Sequence, residues 1–297
     1  MNPLVTVVCI CFNHETFVRE AIYSVLKQTY TNIELIIVDN GSSDNSYSII
    51  KELTEEKNNI KFIHFPETIS STKAFNNAAK FANGSFLIDL SADDLLLEDC
   101  IQKQVDFFSK QSENVGLIFG NAFHIDETGK RTKPYFAVNK HQKVIDTTLF
   151  STNYQKILAG GLSMCSVSAM FTRKHFDLLN GYNEKLFFED LDYWLRLSRK
   201  YEIKFLDDFL VEKRFVTNSL GNQFYKNDTF SQKINYSLRK IYNDSLKRNQ
   251  SKEEHKALLK RIHYSMEQSF KNKKWFELLK LSFIELKCRC YICISSK

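Results

Sequence analysis

The feature that most constrains this chain is an apolar run near its start that is answered by a second one a helix-length later. Residues 4–12 are an almost uninterrupted series of aliphatic, β-branched and cysteine side chains, and residues 33–39, Ile-Glu-Leu-Ile-Ile-Val-Asp, form the second run. A strand that is apolar at consecutive positions must be covered on both faces. Between the two runs, Phe17, Val18, Ala21, Ile22, Val25 and Leu26 recur at helical spacing, and Thr29-Tyr-Thr-Asn breaks the pattern. The alternation continues with helix predicted over 45–57, strand over 60–65, helix over 71–82, strand over 85–90, helix over 97–110 and strand over 115–123. Asn83-Gly84 serves as a helix stop. Helices of this length between strands imply right-handed crossovers, so the expected fold is α/β, a mostly parallel sheet flanked by helices.

After residue 125 the alternation fails. Residues 126–160 read as polar and irregular, a Gly160-Gly161 pair precedes an uncharged stretch to Thr172, and this region is expected to be a mixed subdomain. Helical patterns return at 173–179 and 189–200, two short strands are predicted at 203–206 and 209–216, and residues 229–287 read as two or three basic amphipathic helices. The expected division is 1–222 for the body, with halves at 1–125 and 126–222, and 223–297 for a helical extension. Charge follows the same division. Residues 226–297 hold 17 Lys/Arg and 7 Asp/Glu, leaving 24 and 28 for residues 1–225, an acidic body with a basic tail. Such a tail suits an anionic membrane surface, nucleic acid or a solvated helical face.

Several classes are excluded. The start lacks the basic n-region of a signal peptide, and no stretch supplies the roughly 20 apolar residues of a membrane span, so a cytoplasmic location is expected. Seven scattered cysteines fit a reducing compartment, and Cys288, Cys290 and Cys293 lack the second Cys or His pair of a structural zinc site. There is no Gly-x-Gly-x-x-Gly after a strand, no P-loop and no Gly-x-Ser-x-Gly elbow. Instead, predicted strands end in Phe12-Asn13-His14-Glu15, in Asp39-Asn40-Gly41-Ser42-Ser43-Asp44, and in Ser91-Ala92-Asp93-Asp94. Open α/β sheets bind ligands at such ends. Acids and amides there can be helix caps; gathered at one sheet edge, without a basic phosphate loop, they suggest a divalent cation bridging to an anionic ligand.

Three segments carry a resemblance. Val-Val-Cys-Ile-Cys-Phe-Asn-His-Glu (7–15) with the stretch from Ala21 through Val38-Asp39-Asn40-Gly41-Ser42-Ser43-Asp44 to Ser46, then Phe-Leu-Ile-Asp-Leu-Ser-Ala-Asp-Asp (86–94), and Glu189-Asp190-Leu-Asp192-Tyr-Trp194-Leu-Arg196 resemble the family 2 glycosyltransferases of the GT-A fold over residues 4–222. The resemblance implies a Rossmann-type sheet and an inverting, hexosyltransferase-like enzyme of bacterial glycan or cell-envelope polysaccharide biosynthesis. Its donor would be a nucleotide-sugar, most readily a UDP-sugar, and its acceptor a glycan or lipid-linked glycan. It places Phe12 against the donor's base and Asp39 on the base's imide, with Cys11, Asn13, Glu15, Asn40, Lys73, Ser91 and Ala92 lining the donor site. It also places Asp93 on a Mn or Mg ion, Asp190 as general base with Glu189 and Arg196 beside it, and Trp194 and Asp192 on the acceptor side. The chain departs from the family pattern at Ser91, Asn40 and Val216, where further acids or a His are usual, which implies weaker metal binding. The basic tail, 226–297, would hold the body on the inner face of the cytoplasmic membrane; no nucleic-acid motif is present. The rival readings are a catalytically degenerate nucleotide-sugar or glycan binding protein, and a sugar-phosphate nucleotidyltransferase, which would need a basic phosphate loop that residues 8–20 lack.

Overall fold

The computed structural model describes residues 2–57, 60–161, 164–188, 190–216 and 229–294. Its first half is the alternation expected from the sequence. Strands β1 (Val5–Cys11), β2 (Ile33–Asn40), β3 (Ile60–Phe65) and β4 (Phe86–Ser91) are parallel in the spatial order β3-β2-β1-β4. Helices α1 (Val18–Leu26), α2 (Ser46–Glu56) and α3 (Ser71–Ala79) make the crossovers. Val5, Val7, Val8, Ile36, Ile37 and Val38 have no exposed surface, and α1 buries Val18, Ala21, Ile22 and Val25. Burying each such side chain contributes about 1.5–3 kcal/mol, which explains why these strands carry no polar face.

Beyond β4 the sheet becomes mixed. A two-residue strand β5 (Leu95–Leu96) and helix α4 (Cys100–Phe108) lead into β6 (Val115–Ile125), which forms a hairpin with β7 (Arg131–Pro134). After helix α5 (Tyr154–Ala159), β8 (Met170–Thr172) inserts antiparallel between β4 and β6 and is followed by α6 (Arg173–Leu178) and α7 (Asp190–Ser198). Strand β9 (Glu202–Arg214) runs parallel to β6 and carries β5 on its far edge. The two short strands expected at 203–206 and 209–216 are therefore one. The register with β6 jumps from Phe205 to Phe209, a bulge that hid the continuity. Within it, Asp207 turns out to accept the Val144 amide at 3.0 Å. The stretch read as irregular, 126–160, contains β7, a 3₁₀ turn at Thr147–Ser151 and α5. Asp146 and Asn153 cap the last two by accepting the amides of Thr148 and Lys156, both at 2.9 Å.

Three helices complete the described chain: α8 (Thr229–Arg248), α9 (Lys252–Lys271) and α10 (Trp275–Ile294). They pack on the body. The Arg261 guanidinium donates to the carbonyls of Leu158 (2.9 Å) and Ile157 (2.7 Å), the last turn of α5. Gly160, at φ +85°, ends that helix, and a Cβ there would stand 3.3 Å from the guanidinium. Arg199 of α7's C-terminal side pairs with Glu254, and the Ser237 hydroxyl accepts the Phe187 amide at 2.9 Å.

Candidate functional site

The loops after β1 and β2 hold each other. Asn13, in the left-handed region at φ +55°, accepts the Ser43 amide at 2.8 Å, while its own amide donates to the Ser42 hydroxyl at 3.0 Å. The Glu15 amide donates to Asp44 at 3.0 Å, and the Glu15 carboxylate accepts both the backbone and the side-chain amide of Asn45, at 2.9 and 2.7 Å. Phe12 is left exposed on the rim between these loops and Cys11 is buried beneath it, its thiol pushed up to about 12 by burial. Cys11 is therefore a neutral, apolar surface. Asn13 and Glu15, expected at the donor, use Oδ1 and Oε2 respectively on this clasp.

Asp39 ends β2 with no exposed surface. One oxygen, Oδ2, accepts from His64 Nδ1 at 2.9 Å across the β2–β3 register, and the other, Oδ1, has no partner. A buried carboxylate oxygen left open is costly unless a ligand donor completes it. Asn40 uses both ends of its amide on Ile69, donating to the carbonyl at 2.9 Å and accepting the amide at 3.1 Å. It thus fixes the 66–70 loop, which closes against Gly41 so tightly that a Cβ there would lie 2.6 Å from the Thr68 nitrogen. Lys73 is exposed in the first turn of α3, whose cap is Ser70.

After β4, the Ser91 hydroxyl donates to Asp93 Oδ1, and Asp93 Oδ2 lies 4.0 Å from His14 Nε2. Ala92 is fully buried, its amide on the Ile10 carbonyl, which ties this loop to β1. Asp94 turns inward instead, accepting the Arg214 amide at 2.8 Å; burial and the neighbouring Asp93 charge push its carboxyl well above the usual range, against the opposing Arg214 charge. The Arg214 guanidinium donates to the Asp93, Asp126 and Glu127 carbonyls and to Glu20 Oε2, and packs 4.6 Å above the Phe17 ring. Arg214 holds the loop that presents Asp93. The donor set suits a cation that arrives with a diphosphate: one carboxylate, with the Ser91 hydroxyl bonded to it, and no cluster of three His, Cys, Asp or Glu among the described residues. Magnesium-type sites commonly take one or two carboxylates and complete their shell with water and substrate phosphates.

Asp190 opens α7. Its Oδ1 accepts the Leu191 amide at 2.6 Å, and burial raises its pKa although Lys213 and Arg261 pull the other way. Asp190, Trp194, Tyr182 and Phe171 line a cavity of about 90 Å³ together with Ser91 and Asp89 of β4. The structure thus brings the end of β4 and the start of α7 to one space. Asp192 and Arg196 do not line it. Arg196 Nε donates to Asp192 at 2.7 Å, and its terminal nitrogens donate to the carbonyls of Leu179 (2.7 Å) and Gly181 (2.8 Å). Asp192, buried, also faces Arg248 at 3.8 Å. The expectation that Arg196 acts at the reacting atoms and Asp192 at the acceptor gives way to a brace of α7. Glu189 lies outside the described residues, as do residues 217–219, which follow Val216.

The sequence reading missed His64, Arg214, Asp89 and Tyr182. His64 was legible as the β3 residue opposite Asp39 once the strands were set in parallel register, and Asp89 as the residue two before Ser91 and so on its face. Arg214 and Tyr182 converge from distant segments, and no local pattern marks them.

The family described as Glycosyl transferase family 2 matches residues 6–178. The chain belongs to it. The chain is 30% identical over 214 residues to an uncharacterized glycosyltransferase of Rickettsia felis, covering 72% of this chain and 34% of that one, so it spans about a third of that relative's length. It is 28% identical over 217 residues to an uncharacterized glycosyltransferase of Methanocaldococcus jannaschii, covering 72% of this chain and 71% of the relative. Among solved structures, S. aureus TarS 1-349 in complex with UDP-GlcNAc superposes with TM-score 0.68 at 15% identity, covering 93% of this chain and 79% of that one. The mannosyltransferase PcManGT from Pyrobaculum calidifontis, in complex with GDP-Man and Mn²⁺, gives 0.61 at 15% identity over 95% and 74%. The fold of this family member is thereby similar to that of the GT-A enzymes, a curled mixed sheet flanked by helices with additional C-terminal helices.

Proposed function

We propose that the protein is an inverting glycosyltransferase that moves a sugar from a nucleotide-sugar, most readily a UDP-sugar, to a hydroxyl of a glycan or lipid-linked glycan. The observation that carries this reading is the cavity shared by Ser91 and Asp190, which sets a carboxylate opposite the loop of Asp93. The open Asp39 oxygen supports it from the other side, as an acceptor for the N–H of a uracil-like imide beside the exposed Phe12 ring.

In this reading Asp190 accepts the proton of the acceptor hydroxyl while that oxygen forms a bond to the anomeric carbon. The bond from the anomeric carbon to the diphosphate oxygen breaks as it forms, and its electron pair leaves with the nucleoside diphosphate. One displacement inverts the centre and leaves no glycosyl-enzyme. A carboxyl whose pKa is raised by burial is a stronger base than a solvated one, which suits the role. Asp93, with Ser91 bonded to it, would hold a divalent cation, Mn or Mg, that supplies charge neutralisation to the leaving diphosphate. Arg214 keeps Asp93 in place. The basic segment 226–297 supports work at an anionic membrane surface in the cytoplasm, where lipid-linked acceptors are met; no described helix is long and apolar enough to cross a membrane.

The test is donor binding and hydrolysis across UDP-, GDP- and dTDP-sugars with Mn²⁺, Mg²⁺ or EDTA, for wild type and Asp93→Ala. Binding of one donor with slow release of its nucleoside diphosphate, weakened in Asp93→Ala, is expected. Binding with no release even when acceptor glycans are supplied would replace this reading with the binding protein.

A further inference from the structure

Helix α10 has two faces with opposite surroundings. On one, Leu281, Ile284 and Cys288 are buried, the Cys288 thiol donating to the His255 carbonyl of α9 at 3.1 Å. Both acids of the helix are engaged: Glu277 pairs with Arg239 of α8, and Glu285 with His263 of α9 at 2.9 Å and with Arg289 one turn on at 2.7 Å. The other face is bare. Phe276 is 84% exposed, and Leu279, Phe283 and Leu286 lie between 57% and 61%. These four follow one another at steps of three and four residues, so they form one stripe along the helix. Trp275, also exposed, meets the exposed Phe270 ring edge-on at 5.6 Å and widens the stripe at its start. Exposed Lys280 and Lys287 follow Phe276 and Phe283 by four residues and border the stripe on one side, while Arg289 borders it on the other.

A bare stripe of this size on a folded protein marks a surface that is covered in use. We infer that the outer face of α10 seats flat on an anionic lipid bilayer, its Phe, Leu and Trp side chains in the interfacial layer and Lys280 and Lys287 at the headgroups. Charge decides the occupant. In a helix pairing with a second copy through the same stripe, the flanking positions would be Lys280 and Lys287 on one side and Ser282 and Arg289 on the other. In either relative direction Lys280 and Lys287 meet like charge or a position with no acid to offer, since Glu277 is engaged by Arg239 and Glu285 by His263 and Arg289. An anionic surface satisfies both lysines at once, and Phe, Trp and Leu flanked by Lys is the composition of a helix that lies in the interface plane. The helix is too polar to span the membrane, and one of its sides is taken by α8 and α9. This inference rests on the membrane part of the function proposed above and narrows it, from the net charge of residues 226–297 to one stripe on one helix.

The experiment uses the full chain and vesicles of phosphatidylcholine with or without phosphatidylglycerol. Wild type is expected to cosediment with the anionic vesicles alone, with an emission shift that Trp275→Phe removes. The quadruple variant Phe276→Ser, Leu279→Gln, Phe283→Ser and Leu286→Gln keeps every charge and touches only exposed side chains. It should lose roughly tenfold or more of that binding at unchanged melting temperature. Lys280→Glu with Lys287→Glu should lose a comparable part and remove most of the salt dependence. Failure of wild type to bind anionic vesicles, or undiminished binding by the quadruple variant, overturns the inference. So does a wild-type dimer in solution that the quadruple variant abolishes, which would give the stripe to a second copy. Donor hydrolysis measured without lipid separates the two claims: it should be equal in all these proteins, and its absence from wild type counts against the catalytic reading while leaving the docking result standing.

Discussion

The two walls that the proposed function assigns to the donor and to the acceptor are built in different ways. The donor wall is tied within itself: the loops after β1 and β2 exchange hydrogen bonds through Asn13, Glu15, Ser42 and Asp44, and Asn40 pins the loop after β3. The acceptor wall, built from short elements between residues 154 and 198, is held from behind. Arg261 grips the end of α5, Glu254 grips Arg199 beyond α7, Tyr154 donates to Asn249 at 2.7 Å, and Ser237 accepts the Phe187 amide. The C-terminal helices thus brace the side that carries Asp190 and leave the loops after β1 and β2 to hold themselves. Donor binding should survive damage to them, and positioning of Asp190 should not.

The largest effect expected is at Asp190. Asp190→Asn keeps the size and removes the base, so sugar transfer should fall by about 10²–10⁴-fold while the donor dissociation constant stays within a factor of about three. Transfer and donor binding are read separately, by product release and by titration calorimetry; unchanged transfer would remove Asp190 from the role. Asp39→Ala is the mirror test on the other wall. It deletes the open carboxylate oxygen and leaves His64 without its partner, so donor affinity should weaken by roughly 10–100-fold, the worth of about one charged hydrogen bond of 1.5–3 kcal/mol. The loss should be greatest for donors with a uracil-type imide. Equal affinity in the variant would show that the base binds elsewhere.

Arg261→Met tests the buttress directly. It keeps the apolar stem and removes two hydrogen bonds to α5 carbonyls, a loss of about 1–3 kcal/mol of stability on that side. Donor affinity should hold, and transfer should fall several-fold. A second readout separates a structural role from an electrostatic one. Burial raises the Asp190 pKa and the Arg261 charge counters it, so the variant's acid limb of kcat should move to higher pH than wild type's. The sign follows from the chemistry: the base works as the carboxylate, so transfer is lost as pH falls through the raised pKa. A limb that stays put while transfer falls would confine Arg261 to packing.

This division also explains what the sequence made legible. Strands β1 to β4 with their helices could be read because each is locally determined, by continuous β-branched runs and helical spacing within a few residues. The residues at their ends could be named for the same reason, Asp39, Ser91 and Asp93 among them. The buttressed wall offered no such signal. Strand β8 is three residues long and owes its place to neighbours far away in the chain, and the β9 bulge at 206–208 looked like a break. Arg196 and Asp192 sit in a motif that reads as catalytic, yet at four-residue spacing on one helix face they satisfy each other and the 179–181 turn. Only the fold shows that they pair and that the cavity lies elsewhere.

The smallest expected effect refines the same comparison. Glu254 and Arg199 join α9 to the end of α7 at 2.9 Å with little solvent access. Burial alone would raise the Glu254 carboxyl, but the hydrogen bond from Arg199 and those from the Gln250 and Ser251 side outweigh it, and its pKa is lowered. A carboxyl whose folded pKa lies below its unfolded one stabilises the fold above the unfolded value, about 4.3, and that contribution is lost as pH falls through the folded value. Glu254→Gln should therefore cost about 1–2 kcal/mol at neutral pH, and the gap in melting temperature from wild type should shrink as the pH is lowered through that range. Because the pair braces only the acceptor wall, donor affinity at neutral pH should be the same in both proteins. A variant that lost donor affinity in proportion to stability would show the two walls to be one cooperative unit, and the separation argued from Asn13, Glu15 and Arg261 would fail.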